Sequence, residues 1–79
     1  MLLIDKIEQM SYTEFVEEYR RLFEQWLWML DNDFTTTRKQ AAKQEYKSFA
    51  TMYVSFNPEK DKAIKKMTRE WEIAAFGGA

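Results

Sequence analysis

The sequence predicts an all-α protein, a compact bundle of about four helices with one short N-terminal helix and three longer ones. Three observations carry that reading. Apolar residues recur at helical spacing through most of the 79 residues, with no strand-like alternation of useful length. The only proline, Pro58, and the only glycines, Gly77 and Gly78, fall where helices begin or end. Two tetrads, Ser11 to Glu14 and Thr37 to Gln40, precede apolar stripes in the manner of capping boxes.

Leu3, Ile4 and Ile7 predict a short first helix over residues 2–9. Ser11 and Glu14 start a second near Tyr12, with Met10 and Phe15 at the hydrophobic-staple positions. It runs to Leu30 on a stripe of Tyr12, Phe15, Val16, Tyr19, Leu22, Phe23, Trp26 and Leu30, and Asp31-Asn32-Asp33 stops it. Thr37 and Gln40 open a third helix to Ser55, whose apolar face is Ala42, Tyr46, Phe49, Ala50 and Tyr53. Asn57 at the cap and Pro58 at the first helical position open the fourth. That helix buries Ile64, Met67, Trp71, Ala74 and Ala75, and Gly77 closes it in a left-handed turn. No repeat, low-complexity tract or linker interrupts the chain, so residues 1–79 read as a single helical domain.

At this length a single core supplies about 3–5 kcal/mol without staples, and the absence of cysteine removes disulfides and thiolate-bound zinc. Thirteen aromatic residues fill the gap, each able to bury about 150–250 Å². The apolar start Met1-Leu2-Leu3-Ile4 is stopped by Asp5, short of a signal-peptide core or a membrane span. A soluble cytoplasmic protein is expected, in the host cytoplasm if a phage encodes it.

Composition argues against catalysis. There is no histidine, the commonest general base and metal ligand. Both glycines lie at the extreme C-terminus, so no glycine-rich loop can cradle a nucleotide. Ser11, Ser48 and Ser55 have no histidine to activate them. Glu14, Glu17, Glu18 and Glu24 fit a solvated helix face, with Glu17 four residues before Arg21. The expectation is therefore no enzyme, no cofactor, no metal site, no small-molecule substrate and no membrane partner.

Charge is the functional clue. Residues 1–34 hold eight acids and three bases, whereas residues 35–79 hold nine bases and five acids, so the net charge of -1 hides two opposed halves. A compact fold must either bring such surfaces together or present them to different partners. Arg38, Lys39, Lys43 and Lys47 follow Thr35-Thr36-Thr37 at the start of the third helix. Backbone amides, threonine hydroxyls and cations there resemble a phosphate site. Alternatively, Arg38 reaches back to Asp31 or Asp33 while the lysines solvate a free face. Lys62, Lys65, Lys66 and Arg69 share one arc of the fourth helix and suit phosphate-backbone contact without base reading. Against that, Asp61 can pair with Lys65 and Glu70 with Lys66. Aromatic interleaving for single-stranded bases is absent from the arc apart from Phe76. A helix-turn-helix across Phe56-Asn57 lacks its usual glycine, which argues against sequence-specific reading.

Trp28 breaks the pattern of the second helix. It falls about 180° from Tyr19 on the side of Glu17, Arg21 and Glu24. There Trp28, Arg21 and Glu24 form a candidate anchor for a protein partner. The plainer reading is that Trp28 packs under the Asp31–Thr37 loop, on Phe34, or against the first helix.

Thr13-Glu14-Phe15-Val16 followed by Arg20-Arg21 resembles the opening helix of the Hha/YmoA family, small all-helical nucleoid-associated proteins of bacteria. Asn32-Asp33-Phe34 is similar to that family's asparagine-lysine-tyrosine segment, across a gap of a few residues. The match covers about a third of the chain, and the long fourth helix departs from the family's short C-terminal one. In size and composition the chain also resembles small accessory proteins of T4-like phages, of the kind encoded beside the UvsW helicase. The resemblance implies a non-catalytic protein that binds a nucleoprotein partner and adds positive charge near DNA. Residues and resemblance together lead to an accessory protein of nucleic-acid metabolism. It would bind DNA, or a nucleic-acid-processing protein, weakly and without sequence specificity through the basic half. The alternative is a protein-binding inhibitor or adaptor that uses the acidic second helix and Trp28 and touches no nucleic acid.

Overall fold

The structure, a computed structural model, describes residues 4–77, and all its regular elements are helical. α1 spans Ile4–Gln9, α2 Tyr12–Leu30, α3 Thr36–Phe56 and α4 Asp61–Phe76, with a single 3₁₀ turn at Pro58–Lys60 leading into α4. The all-α expectation of one short and three longer helices is what the chain adopts. Leu3 and Gly78 lie outside the described residues.

The caps show why the helices start where they do. Ser11 Oγ accepts from the Glu14 amide at 3.1 Å while Glu14 Oε1 accepts from the Ser11 amide at 3.0 Å, completing the expected capping box. That hydrogen bond from the Ser11 amide holds the Glu14 carboxyl below the usual glutamate range. α3 starts two residues earlier than the Thr37 tetrad indicates. Its cap is Thr35, extended at ψ 153°, whose hydroxyl accepts from the Arg38 amide at 3.2 Å. Asn57 makes no side-chain cap for the following segment; its Nδ2 donates to the Tyr53 carbonyl at 3.1 Å and closes α3 instead. Pro58 accordingly begins the 3₁₀ turn rather than α4 itself. Gly77 ends α4 at φ +86°, the left-handed conformation that favours glycine.

α2 and α3 form an antiparallel pair: Phe15 stacks on Phe49 and Tyr53 at 5.0 and 4.1 Å between ring centroids, and Trp26 meets Tyr46 at 5.5 Å. α4 runs parallel to α2, with Trp71 against Tyr19 and Phe23 and Phe76 edge-on to Trp26. Tyr19 fixes that register. Thr68 Oγ1 donates to the Ile64 carbonyl at 2.8 Å, so the 2.6 Å contact with Tyr19 is the phenol donating to Thr68. α1 packs on α3 and buries Ile7. Seven of the eleven core residues are aromatic, from Phe15 through Tyr53, so a few large rings supply the burial that so short a chain needs. The Cα envelope is a slab of 35 × 30 × 16 Å.

The expected apolar stripes hold with three departures. Leu30, Ala74 and Ala75 are exposed, and at that end of the slab Phe76 packs edge-on against Trp26.

Candidate functional site

Helical geometry divides the eight basic candidates into groups. At 100° per residue, Lys39, Lys43 and Lys47 share the side of α3 that carries Ala50 and Val54, whereas Arg38 lies about 180° from Lys47. Arg38 is therefore not brought together with Lys47, and among the described residues it has no ion pair with Asp31 or Asp33. On α4, Lys62, Lys66 and Arg69 lie on the far side from the buried Ile64 and are exposed. Lys65 stands at the edge of this arc and is paired with Asp61 at 3.1 Å. Lys66 and Glu70 form no ion pair among the described residues.

The two basic segments meet at a groove of about 550 Å³ between α3 and α4. Lys47 comes to it from one wall and Lys65 from the other, over Ala50, Val54 and Ile64, with Asp61 and Glu72 also lining it. Lys43 is drawn partly inward, its ammonium 5.5 Å from the centre of the Trp26 ring. At the α3 N-terminus the Thr35 hydroxyl takes the Arg38 amide, which leaves a smaller anion cradle than three free threonines would offer.

The residues proposed to hold a protein partner share one arc of α2 but are differently engaged. Trp28 is 57% exposed although it packs edge-on against Phe34 at 5.1 Å. The loop supports the ring through Phe34, as the plainer reading expects, and more than half of it faces solvent. Arg21 is bonded to Glu18 rather than Glu17, which raises its pKa, and its side chain stays 63% exposed. Glu24 accepts from Arg20 Nε at 2.7 Å.

Every ion pair among the described residues lies within one helix, three or four residues apart. Among the described residues the acidic and basic halves are not joined by an ion pair across helices.

Three features escaped the sequence reading. Arg20 lies over Trp71 at 4.9 Å while bonded to Glu24, so it clamps α2 to α4. Lys60 covers Tyr12 at 4.7 Å. Ile73, 46% exposed, extends the arc of Lys62, Lys66 and Arg69 into an apolar end together with Phe76. The signal for Ile73 was present, four residues after Arg69 and seven after Lys66. Comparison with known proteins finds no matching family, no matching curated protein and no matching solved structure.

Proposed function

We propose that the chain is a non-catalytic accessory protein that contacts the phosphate backbone of nucleic acid through the outer arc of α4 and the basic side of α3. The observation that carries this reading is the arc itself. Lys62, Lys66 and Arg69 stand exposed, opposite the packed face, without ion pairs among the described residues. Lys47 and Lys65, on the two walls of one groove, link the arc to Lys39 and Lys43. Such a surface offers mainly lysine point charges to phosphates, with Arg69 its single planar donor fork, which favours sequence-independent binding. The resemblance of α2 to the opening helix of the Hha/YmoA family points in the same direction.

The test is an amide-resolved NMR titration with a short DNA duplex at about 50 and then 200 mM salt, the range over which phosphate-driven binding collapses. Shifts should cluster at Lys39–Lys47 and Lys62–Arg69 and vanish at the higher salt. Changing Lys62, Lys66 and Arg69 together to glutamine should flatten the log–log salt slope by about 2.7, at roughly 0.9 per phosphate lost. Arg38→Gln should leave it unchanged. Undiminished affinity in the triple variant would end the assignment.

Trp28 favours a second reading, in which the acidic face of α2 captures a protein. It gains ground if the duplex produces no shifts at either salt. Trp28→Ala should then abolish capture with helicity intact.

A further inference from the structure

The outer faces of α2 and α4 match each other in register as well as in charge. On α2, Glu17, Glu24 and Trp28 sit at relative positions 0, 7 and 11; on α4, Lys62, Arg69 and Ile73 sit at the same offsets. All six are exposed. The two stretches are equally long, about 16 Å at ~1.5 Å per residue. Laid side by side in parallel, each acid faces a base and the Trp28 ring faces Ile73, while the intervening Arg21 and Lys66 make one unfavourable match. Arg21 already holds Glu18, which reduces that repulsion. Within one molecule these faces cannot meet, because α2 and α4 pack through Tyr19, Phe23 and Trp71 on other sides.

We infer that the acidic face of α2 takes the basic face of α4 of a second copy of this chain. Three observations favour a second copy as the occupant. The faces are complementary in charge and end in exposed apolar side chains, 57% for Trp28 and 46% for Ile73. Glu17, Lys62 and Arg69 have no ion pair among the described residues, while Glu24 shares its carboxylate with Arg20 on its own helix. At a net charge of -1 two copies do not repel each other at long range. The contact is heterologous, one face against a different one, so association continues past the dimer into rings or open chains. Its small area places it in the weak, transient class of interfaces, below about 1,200 Å². The inference does not rest on nucleic-acid binding, and its test contains no nucleic acid.

Sedimentation velocity at protein concentrations from about 20 μM to 1 mM should show mass rising beyond twice the 9.6 kDa chain at about 20 mM salt. At about 500 mM salt, where exposed charges are screened, only monomer should remain. The double variants E17K/E24K and K62E/R69E should each be monomeric at low salt, with far-UV circular dichroism confirming their helicity. Mixed in equal amounts, they retain one intact α2 face and one intact α4 face. The two reversed faces also complement each other, the basic α2 of one against the acidic α4 of the other, so the mixture should assemble again as the wild type does. The neutral variant E17Q/E24Q serves if charge reversal unfolds the chain, and it should weaken association at least several-fold. A wild-type chain monomeric throughout overturns the inference, as does wild-type assembly by either reversed variant or a mixture that stays monomeric.

Discussion

Tyr46 and Tyr19 offer the same substitution with opposite expected signs. Tyr46 is closed to solvent, its ring 5.9 Å from Tyr19, 5.3 Å from Phe23 and 5.5 Å from Trp26, and its hydroxyl has no hydrogen-bond partner among the described residues. A buried polar group left unsatisfied costs about 1–3 kcal/mol. Tyr46→Phe removes that oxygen and keeps the ring. The atom-sized gap left behind forfeits contacts of about 0.1–0.2 kcal/mol each, so the gain falls at the lower end, about 1 kcal/mol. For a domain of this size, 1 kcal/mol corresponds to a rise in Tm of about 4–8 °C. Tyr19→Phe instead deletes a phenol that donates to Thr68 at 2.6 Å and ties α2 to α4, a loss of about 0.5–1.5 kcal/mol. Thermal and urea unfolding followed by far-UV circular dichroism reads both. Tyr46→Phe with unchanged or lowered stability would show that the hydroxyl is bonded in solution, to Glu72 or to water, and would refute the reasoning.

Raising the pH should expose the same tyrosines. Burial pushes the Tyr46 phenol up to about 12 and raises Tyr19 and Tyr53 as well. The folded state thus favours the neutral phenol, so the associated stability is full below about pH 10 and lost as pH rises towards 12. A urea midpoint that stays flat across that window would count against this. Thr35→Ala should cost about 1 kcal/mol as a lost helix cap, whereas Thr37→Ala should stay within about 0.5 kcal/mol; equal effects in urea melts would show the cap misplaced. Ser11→Ala should also cost about 1 kcal/mol. Because Ser11 lowers the Glu14 pKa, the carboxylate's part of that box is present above the ordinary glutamate range and fades as pH falls through it. Phe15→Ala should cost about 3–5 kcal/mol, comparable with the whole stability of so small a core, and leave a largely unfolded chain by circular dichroism.

Much of this architecture was legible because the aromatic residues recur at helical spacing and few alternatives bury them all. The Tyr12–Leu30 helix follows from Ser11, Glu14 and the stripe behind them. The α3 start was not legible at the residue level. Thr35 and Thr37 both offer a hydroxyl, and the Gln40 match favoured Thr37, yet capping needs only the hydroxyl and an extended backbone, which Thr35 supplies. Asn57 misled for a related reason, since its amide can serve the helix before it as well as the one after. At the candidate site, the exposure of Trp28 and the Asp61–Lys65 pair follow from spacing along single helices. That Lys47 and Lys65 share a groove depends on how α4 lies along α3, whereas the separation of Arg38 from Lys47 follows from their spacing within α3. Periodicity within one helix carries no information about that register.

The basic arc remains the feature that folding does not explain. The core asks for Ile64 on one side of α4 and is indifferent to what stands opposite. Lys62, Lys66 and Arg69 repel at three- and four-residue spacing, a cost of roughly 0.2–0.5 kcal/mol per neighbouring pair. Asp61 relieves Lys65 alone. For a chain whose core supplies about 3–5 kcal/mol, that loss is not negligible. Neutral polar residues on the same face would avoid that cost. Cations held there against the interest of the fold are the ground on which a negative partner surface is proposed. Phosphates and the acidic face of a second copy would compete for Lys62 and Arg69. If both readings are correct, a duplex added to the assembled chain should dissolve it at low salt. An assembly that survives the duplex at matched concentration would show that the two partners use different residues.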